Sequence, residues 1–526
     1  MSKAILTSFA ILCLLSLLFL TECKLSVKAS STTWIVDKDG TADFKTIQEA
    51  INNATSGDTI FVHSGTYNEH VIVNETVSLV GEDRDSTIID GNETGSVVKI
   101  TANNVSIEGF AIKNSGTHTI EYDSGIFVDH SSGNNISHNM MINNDYGISL
   151  YSSINNVVSG NMMINNDYGI SLYSSINNVV SGNTITNNYE GISLYYSVNN
   201  VVSYNIISSN NYEGISLYYS VNNLLSYNTI INNYAGMYLA LYSSNNTIYL
   251  NNFNNTLRQV WSGSANIWDN GLEGNYWSNF NGPDSDGDGI IDIPYIINEN
   301  NTDNYPLMGI LSVFNVTSER ETYHVTIICN STISEFRFEI GLETGSKIIC
   351  FSVTDEHSTV GFCRVRIPNE LMNYPYIVLV DAEEIVATKL NVSSETHAYL
   401  YFTYIHGAHT IRIISSKTLH IYYELLDKYD KLQTDLYNLN VTYYDLLNSY
   451  GFLLGNYSQL QESYHELNHS YQEHLSDYSQ NVCNIQNLMY IFAATTAIFI
   501  MTTIYLSKHR HASNTKVFED KKQHTF

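Results

Sequence analysis

A 22-residue unit repeated in tandem constrains this chain more than anything else in it. Gly125, Gly147, Gly169 and Gly191 stand 22 residues apart; Gly214 follows after 23 and Gly236 after 22 more. Two consecutive copies, DYGISLYSSINNVVSGNMMINN and DYGISLYSSINNVVSGNTITNN, run from Asp145 to Asn188 and differ at three positions. The period is too short for helical-hairpin repeats. Asn, Gly, Ser, Ile, Val and Tyr also favour turns and strands over helix. Ile148 and Leu150 alternate with Ser149, and Val158, Asn161 and Met163 mark further inward positions. Three short strands with Asn-containing corners make one coil of a right-handed parallel β-helix, each coil ~4.8 Å above the last. One coil cannot bury its apolar side, whereas stacked coils share a core.

The columns follow from the register. Ile126, Ile148, Ile170, Ile192, Ile215 and Met237 form one apolar stack, and Val128, Leu150, Leu172, Leu194, Leu217 and Leu239 another. Asn134, Asn156, Asn178, Asn200 and Asn223 are expected to form a buried amide ladder, each amide bonding its equivalent on the next coil. Upstream, Phe44, Ile47, Ala50 and Ile51 lie on one face of an amphipathic helix, which is expected to cover the open first coil.

The segments DFKTIQEAI, GDTIFVHSGTYNE and VSLVGEDRDSTIIDG resemble the opening of the pectin-lyase-like superfamily. With the coils and the later GNYWSNFNGPDSDGDGIIDIPYII and DNYPLM, residues 34–309 resemble the NosD-like, periplasmic copper-binding β-helix family. The resemblance implies a β-helix fold and raises copper as a cofactor. Gly65-Thr66-Tyr67-Asn68-Glu69 matches the G-x-Y-x-E motif of pectin methylesterases. Their catalytic motifs Q-D-T-L, D-F-I-F-G and G-R-P-W are missing from the chain. The matched piece is therefore expected to be structural.

Three groups of residues carry the functional expectations. Tyr151, Tyr173, Tyr195 and Tyr218 form an outward column, and Tyr146, Tyr168, Tyr189, Tyr212 and Tyr234 a second band. Such rows stack on sugar rings or on one another. Asp145 and Asp167 stack on adjacent coils, with Glu190 and Glu213 shifted by one residue on the next two. They are expected to form a solvated acidic rim, or an acid–base pair if the protein is a carbohydrate-active enzyme. His138, Met140 and Met162 offer imidazole and thioether groups suited to Cu(I). In GPDSDGDGIIDIPY, Asp284, Asp286, Asp288 and Asp292 occupy positions 1, 3, 5 and 9 of a Ca²⁺-type loop, with the Ile290 carbonyl at position 7. Tyr295 replaces the final Glu, so the loop is not a full EF-hand; a structural Ca²⁺ is expected there.

The rest of the chain sets location. An apolar run from Ile5 to Leu20 after Lys3 reads as a signal peptide over residues 1–29. Residues 30–58 form the cap, 59–256 the coils, and 257–309 the C-terminal cap with Trp268, Tyr276 and Trp277. Alternating strand runs over 310–415 predict a β-sandwich. Leu every seven residues from Leu425 to Leu467, with Tyr on the other seam, predicts a coiled-coil stalk over 416–485 and an oligomer. Leu488–Leu506 is long and apolar enough to cross a bilayer, placing a membrane helix at 486–506 and a basic cytoplasmic tail at 507–526. Cys329, Cys350 and Cys363 permit one disulfide without indicating which. A net charge of −28 argues against nucleic acid. Asn-x-Ser/Thr sequons dot the chain yet none falls between Ile136 and Ser244, where Asn is densest. The expected protein is mainly β, anchored at the cell surface, and non-catalytic. It binds glycans or envelope components, with enzymatic or copper-handling roles as alternatives.

Overall fold

A computed structural model describes residues 31–519 apart from 41, 118–121, 241, 343, 357–358 and 457–460. The expected signal peptide lies outside the described residues. Two compact units are present, Met1–Leu311 and Ser312–Phe526.

The first unit is a parallel β-solenoid whose coils contribute to three sheets of ten, nine and ten strands. Ile148 pairs with Ile126 and Ile170, and Leu150 with Val128 and Leu172, so the repeat is the register. Both apolar columns are fully buried. The expected Asn ladder is one of three. The first runs Asn134, Asn156, Asn178, Asn200, Asn223, Asn246, Asn266. The second runs Asn139, Asn161, Asn183, Asn205, Asn228, Asn251, Asn275, and the third Asn144, Asn166, Asn188, Asn210, Asn233, Asn255. At Asn178, Oδ1 accepts from the backbone N–H and the Nδ2 of Asn156. Its own Nδ2 donates to the Ser153 carbonyl and to Asn200 Oδ1. Every polar atom of the rung is thus satisfied inside the core.

The Asn doublets of the sequence now have a cause. Asn143, Asn155, Asn165, Asn177 and Asn187 all sit at φ between 54 and 59°, each just before a ladder Asn. A left-handed residue turns the chain so that the next side chain points inward, and Asn tolerates that conformation better than most residues.

Both ends are closed. The helix Ile47–Asn53 buries Ile47, Ala50 and Ile51 over the first coil. Glu69, the acidic residue of the esterase-like motif, accepts the backbone N–H groups of Ile47 and Gln48 at 3.0 Å. That motif therefore caps a helix N-terminus, where a carboxylate is favoured. At the far end each ladder stops on a different side chain. Asn266 donates to Asn301 Oδ1, Asn275 to Asp303 Oδ2 and Asn255 to Gln259 Oε1. The buried Trp268 and Trp277 indoles bond the same Asn301 and Asp303.

In the second unit, two five-stranded antiparallel sheets enclose Phe351, Val365 and Phe402. Over the expected stalk the described residues form the helices Lys417–Asn456 and Gln461–Glu519. Gly451 and Gly455 weaken helix propensity at the end of the first. The Tyr443 ring stacks on Tyr478 at 4.2 Å, and Leu436, Leu439 and Leu446 share a groove with Val482, Ile485 and Met489. The heptad seam thus meets itself within one chain, in antiparallel sense. Asn468–Thr503 is long and apolar enough to cross a membrane by length and composition.

Candidate functional site

The outer face of the nine-stranded sheet carries the tyrosine and acidic columns. Behind it, Gly147, Gly169, Gly191 and Gly214 let the coils close up against the core side chains Met163, Ile185, Ile207 and Ile230. A Cβ on any of them would lie 2.3–2.8 Å from a carbonyl oxygen of the next coil. Ser149, Ser171, Ser193 and Ser216 follow two residues later in register.

On one flank, Tyr151, Tyr173, Tyr195 and Tyr218 form the expected column. Their rings stack at 5.2 and 5.3 Å, then tilt at 5.9 Å. They are half-buried, because a second tyrosine row stands beside them. Tyr196, Tyr219 and Tyr242 stack on one another at 4.8 and 5.8 Å, and Tyr242 is 73% exposed. The signal for this row was the change from LYSS to LYYS between coils. Tyr196, Tyr219 and Tyr242 have φ of 51, 52 and 57°, where earlier coils have Ser152 and Ser174. At another corner Tyr204 and Tyr227, at φ 57 and 58°, stand where Gly160 and Gly182 stand, and stack at 4.7 Å. A bulky residue is disfavoured in the left-handed region. Placing tyrosines there repeatedly points to a use for their exposed rings.

On the other flank the expected single band divides into two columns. The DYG of earlier coils becomes YEG, so Tyr146 and Tyr168 continue as Glu190, Glu213, Ala235 and Arg258. Asp145 and Asp167 continue as Tyr189, Tyr212 and Tyr234, whose rings stack at 5.5 and 5.9 Å in the open. Arg258 lies over the Tyr238 ring at 5.8 Å, and Tyr238 stacks on Trp261 at 4.7 Å. At the opposite end Tyr122 packs against Tyr146, Tyr151 and Tyr173.

The acidic rim is not the solvated one expected. Asp167 is exposed, but Asp145 and Glu213 are 4% and 3% exposed, set beneath the tyrosines. Asp145 Oδ2, Glu213 Oε2, Ser149 Oγ and Arg258 Nε have no hydrogen-bond partner, while Glu190 accepts from Ser216 Oγ at 3.0 Å. Burial, then Asp167 and Asp123, pushes Asp145 up to about 6. Burial, then Glu190, pushes Glu213 up to about 7. Acid–base glycoside hydrolysis needs two carboxyls that reach the scissile bond from either side, and Glu213 is buried.

These shifts have a sign. Asp145, Glu213 and Asp303, which burial raises to about 7, hold their protons more tightly folded than unfolded. Their contribution is full below about pH 4 and lost as pH climbs through 6–7. The carboxyls held low in the fold, such as Asp58 and Asp129, titrate below that window. The solenoid is expected to melt higher at pH 5 than at pH 8, with a smaller difference in Glu213→Gln; equal melting temperatures at both pH values would refute this.

The other candidates lie apart from this face. Asp284, Asp286 and Asp288 in the C-terminal cap bring one oxygen each within 4.8 Å of the others. Asp284 also accepts the N–H groups of Asp288 and Gly289. Asp292 is occupied with the Ser285 N–H at 2.7 Å and is not in the trio. Ile290 donates its N–H to Asp288 Oδ1 and is buried. Met140 and Met162 are register partners in a different, ten-stranded sheet, both half-buried. The His138 imidazole lies over Gly160 on the next coil.

Residues 51–282 match the family model described as periplasmic copper-binding protein (NosD). A cell surface glycoprotein of Methanothermus fervidus is 36% identical over 103 residues, 19% of this chain and 16% of that one. The chain thus spans about a sixth of the length of the curated relative it matches. Among solved structures, Dettilon tailspike protein is similar at 12% identity with a TM-score of 0.36, over 72% of this chain and 91% of that one. An alginate lyase from Paenibacillus is similar at 16% identity with a TM-score of 0.31, over 42% and 94%. At these identities neither structural likeness extends to chemistry.

Proposed function

We propose that this NosD-type solenoid is the glycan-binding head of a membrane-anchored cell-surface protein. The carrying observation is the set of exposed tyrosine ladders whose members occupy left-handed corners that Ser and Gly fill elsewhere. Such stacked rings repeat at the coil spacing and offer a row of ring edges and hydroxyls to successive sugars of a chain lying along the solenoid axis. The ligand is a neutral glycan. Asp167 is exposed on the face, the chain carries a formal net charge of −28, and the sequence has no Lys or Arg from Asn114 to Leu257, so a polyanion is repelled. The surface location rests on the archaeal glycoprotein likeness and on the apolar Asn468–Thr503 helix.

The test uses the protein's own alternative residues. Tyr196→Ser with Tyr219→Ser installs what Ser152 and Ser174 already are, so the coils should keep their melting temperature. Affinity for a neutral polysaccharide, measured by affinity electrophoresis across a panel of neutral and uronate polymers, is expected to fall at least about tenfold, the equivalent of roughly 1.4 kcal/mol. Unchanged affinity, or no retention by any polymer in the panel, would sink the reading.

The Asp284–Asp286–Asp288 trio is proposed to hold Ca²⁺ and brace the C-terminal cap. Added Ca²⁺ is then expected to raise the melting temperature and EDTA to lower it, with Asp286→Asn blind to both. A wild-type curve indifferent to either addition counts against the site.

A further inference from the structure

The sandwich unit contains a thiol pair that no part of the glycan reading uses. Cys329 ends the strand Glu321–Cys329, and Cys363 lies in the strand Val360–Pro368. They are direct register partners across an antiparallel pair. Their sulfurs lie 3.5 Å apart, and both side chains are buried, at 1% and 0% exposure. The Ser331 N–H donates to Cys329 Sγ at 3.3 Å, and the Tyr404 hydroxyl lies 3.4 Å from the same sulfur while donating to Ser331 Oγ at 2.8 Å.

We propose that Cys329 and Cys363 form a cross-strand disulfide in the mature protein, while Cys350 and Cys483 remain thiols. Three observations support this. Directly opposed residues of antiparallel strands have Cα atoms ~4.5–5.5 Å apart, inside the ~4.4–6.8 Å range that disulfides span. Bonding therefore needs only side-chain rotation, closing the sulfurs by about 1.5 Å to the usual S–S length. The other two thiols are elsewhere. Cys350 belongs to the second sheet, beside Arg337 and Arg412, and Cys483 lies exposed on the helix Gln461–Glu519. The thiols are also chemically unequal. The Cys363 S–H, with Tyr404 and Ser331, holds Cys329 down at about 7, while burial pushes Cys363 up.

The reaction balances with a small-molecule or protein disulfide as oxidant. The thiolate of either cysteine, written here for Cys329, attacks one sulfur of R–S–S–R, whose S–S bond breaks, releasing RS⁻ and leaving a mixed disulfide. Cys363 then gives up its proton, and its sulfur displaces the second RS⁻ from Cys329. The two protein thiols lose two electrons and two protons, and the oxidant is reduced to two thiols. Because both sulfurs are buried once the sheet has formed, exchange takes place as the domain folds or opens locally.

The experiment uses the full chain, purified in detergent under reductant and refolded in oxidised glutathione. Remaining thiols are alkylated, the protein is digested without reduction, and peptides are mapped by mass. The expected product is one peptide pair linked through Cys329 and Cys363, two hydrogens lighter than its reduced form, with Cys350 and Cys483 alkylated. Recovery of Cys329 and Cys363 as alkylated peptides, as glutathione adducts, or linked to Cys350 would overturn the proposal. As a second readout, dithiothreitol should lower the melting temperature of the wild-type chain by several degrees and leave Cys363→Ser unmoved. An equal response in both would likewise overturn it. The mapping needs no variant, so a misfolded substitution does not shield the proposal.

Discussion

Asn178→Ala is expected to destabilise the solenoid by about 4 kcal/mol, on the scale of unpaired buried polar groups. Asn178 is fully buried and makes four bonds through its side chain. Removing it strands the Asn156 N–H and one Nδ2 hydrogen, and takes a donor from the Ser153 carbonyl and from Asn200 Oδ1. Each stranded donor costs about 1–3 kcal/mol where water cannot replace the partner. The neighbouring rungs cannot close the gap, because each Asn already bonds its own coil and the next. Denaturant unfolding of wild type and variant measures the difference. A loss below about 1 kcal/mol would mean that water enters the ladder and that the amides are not the main lateral bond between coils.

Gly169→Ala is expected to cost about 3 kcal/mol, at the upper end of overpacking effects. The reason is space, since Gly169 is not among the left-handed glycines. An added Cβ would lie 2.5 Å from the Gly191 carbonyl oxygen and 2.6 Å from Ile185 Cγ2. One contact is backbone, and coil separation is set by the ladders and strand pairing, so neither neighbour yields. The conflict should split the stack at that coil. Limited proteolysis is expected to cut between the two halves in the variant and not in wild type. An unchanged melting temperature with no new cleavage would show that the coils can spread.

Much of this could be read from residue order. The Ile148 and Leu150 columns, the Asn178 ladder, the Ile47 helix and the C-terminal tryptophans lie where periodicity and amphipathicity put them. The third ladder was hidden because Asn doublets look alike in sequence, and the second showed only as the inward Asn161. Asn155 and Asn156 differ only in that one turns the corner and the other enters the core. The Tyr196 row was overlooked for a related reason: a residue beside an outward column has no period of its own until the corner geometry places it. For the stalk, a Leu heptad specifies a seam and leaves open whether the partner is another chain or the same chain turned back.

The sequence by itself determined the coil, its core and its closed ends, because a 22-residue repeat and a strand alternation are local patterns that stacking merely multiplies. Only the tertiary structure decided which tyrosines face solvent, which carboxyls keep their protons, and which two of three sandwich cysteines meet. Those outcomes depend on neighbours one coil or one strand away, brought together by register. For Cys329 and Cys363 that means 34 positions along the chain and 3.5 Å in space.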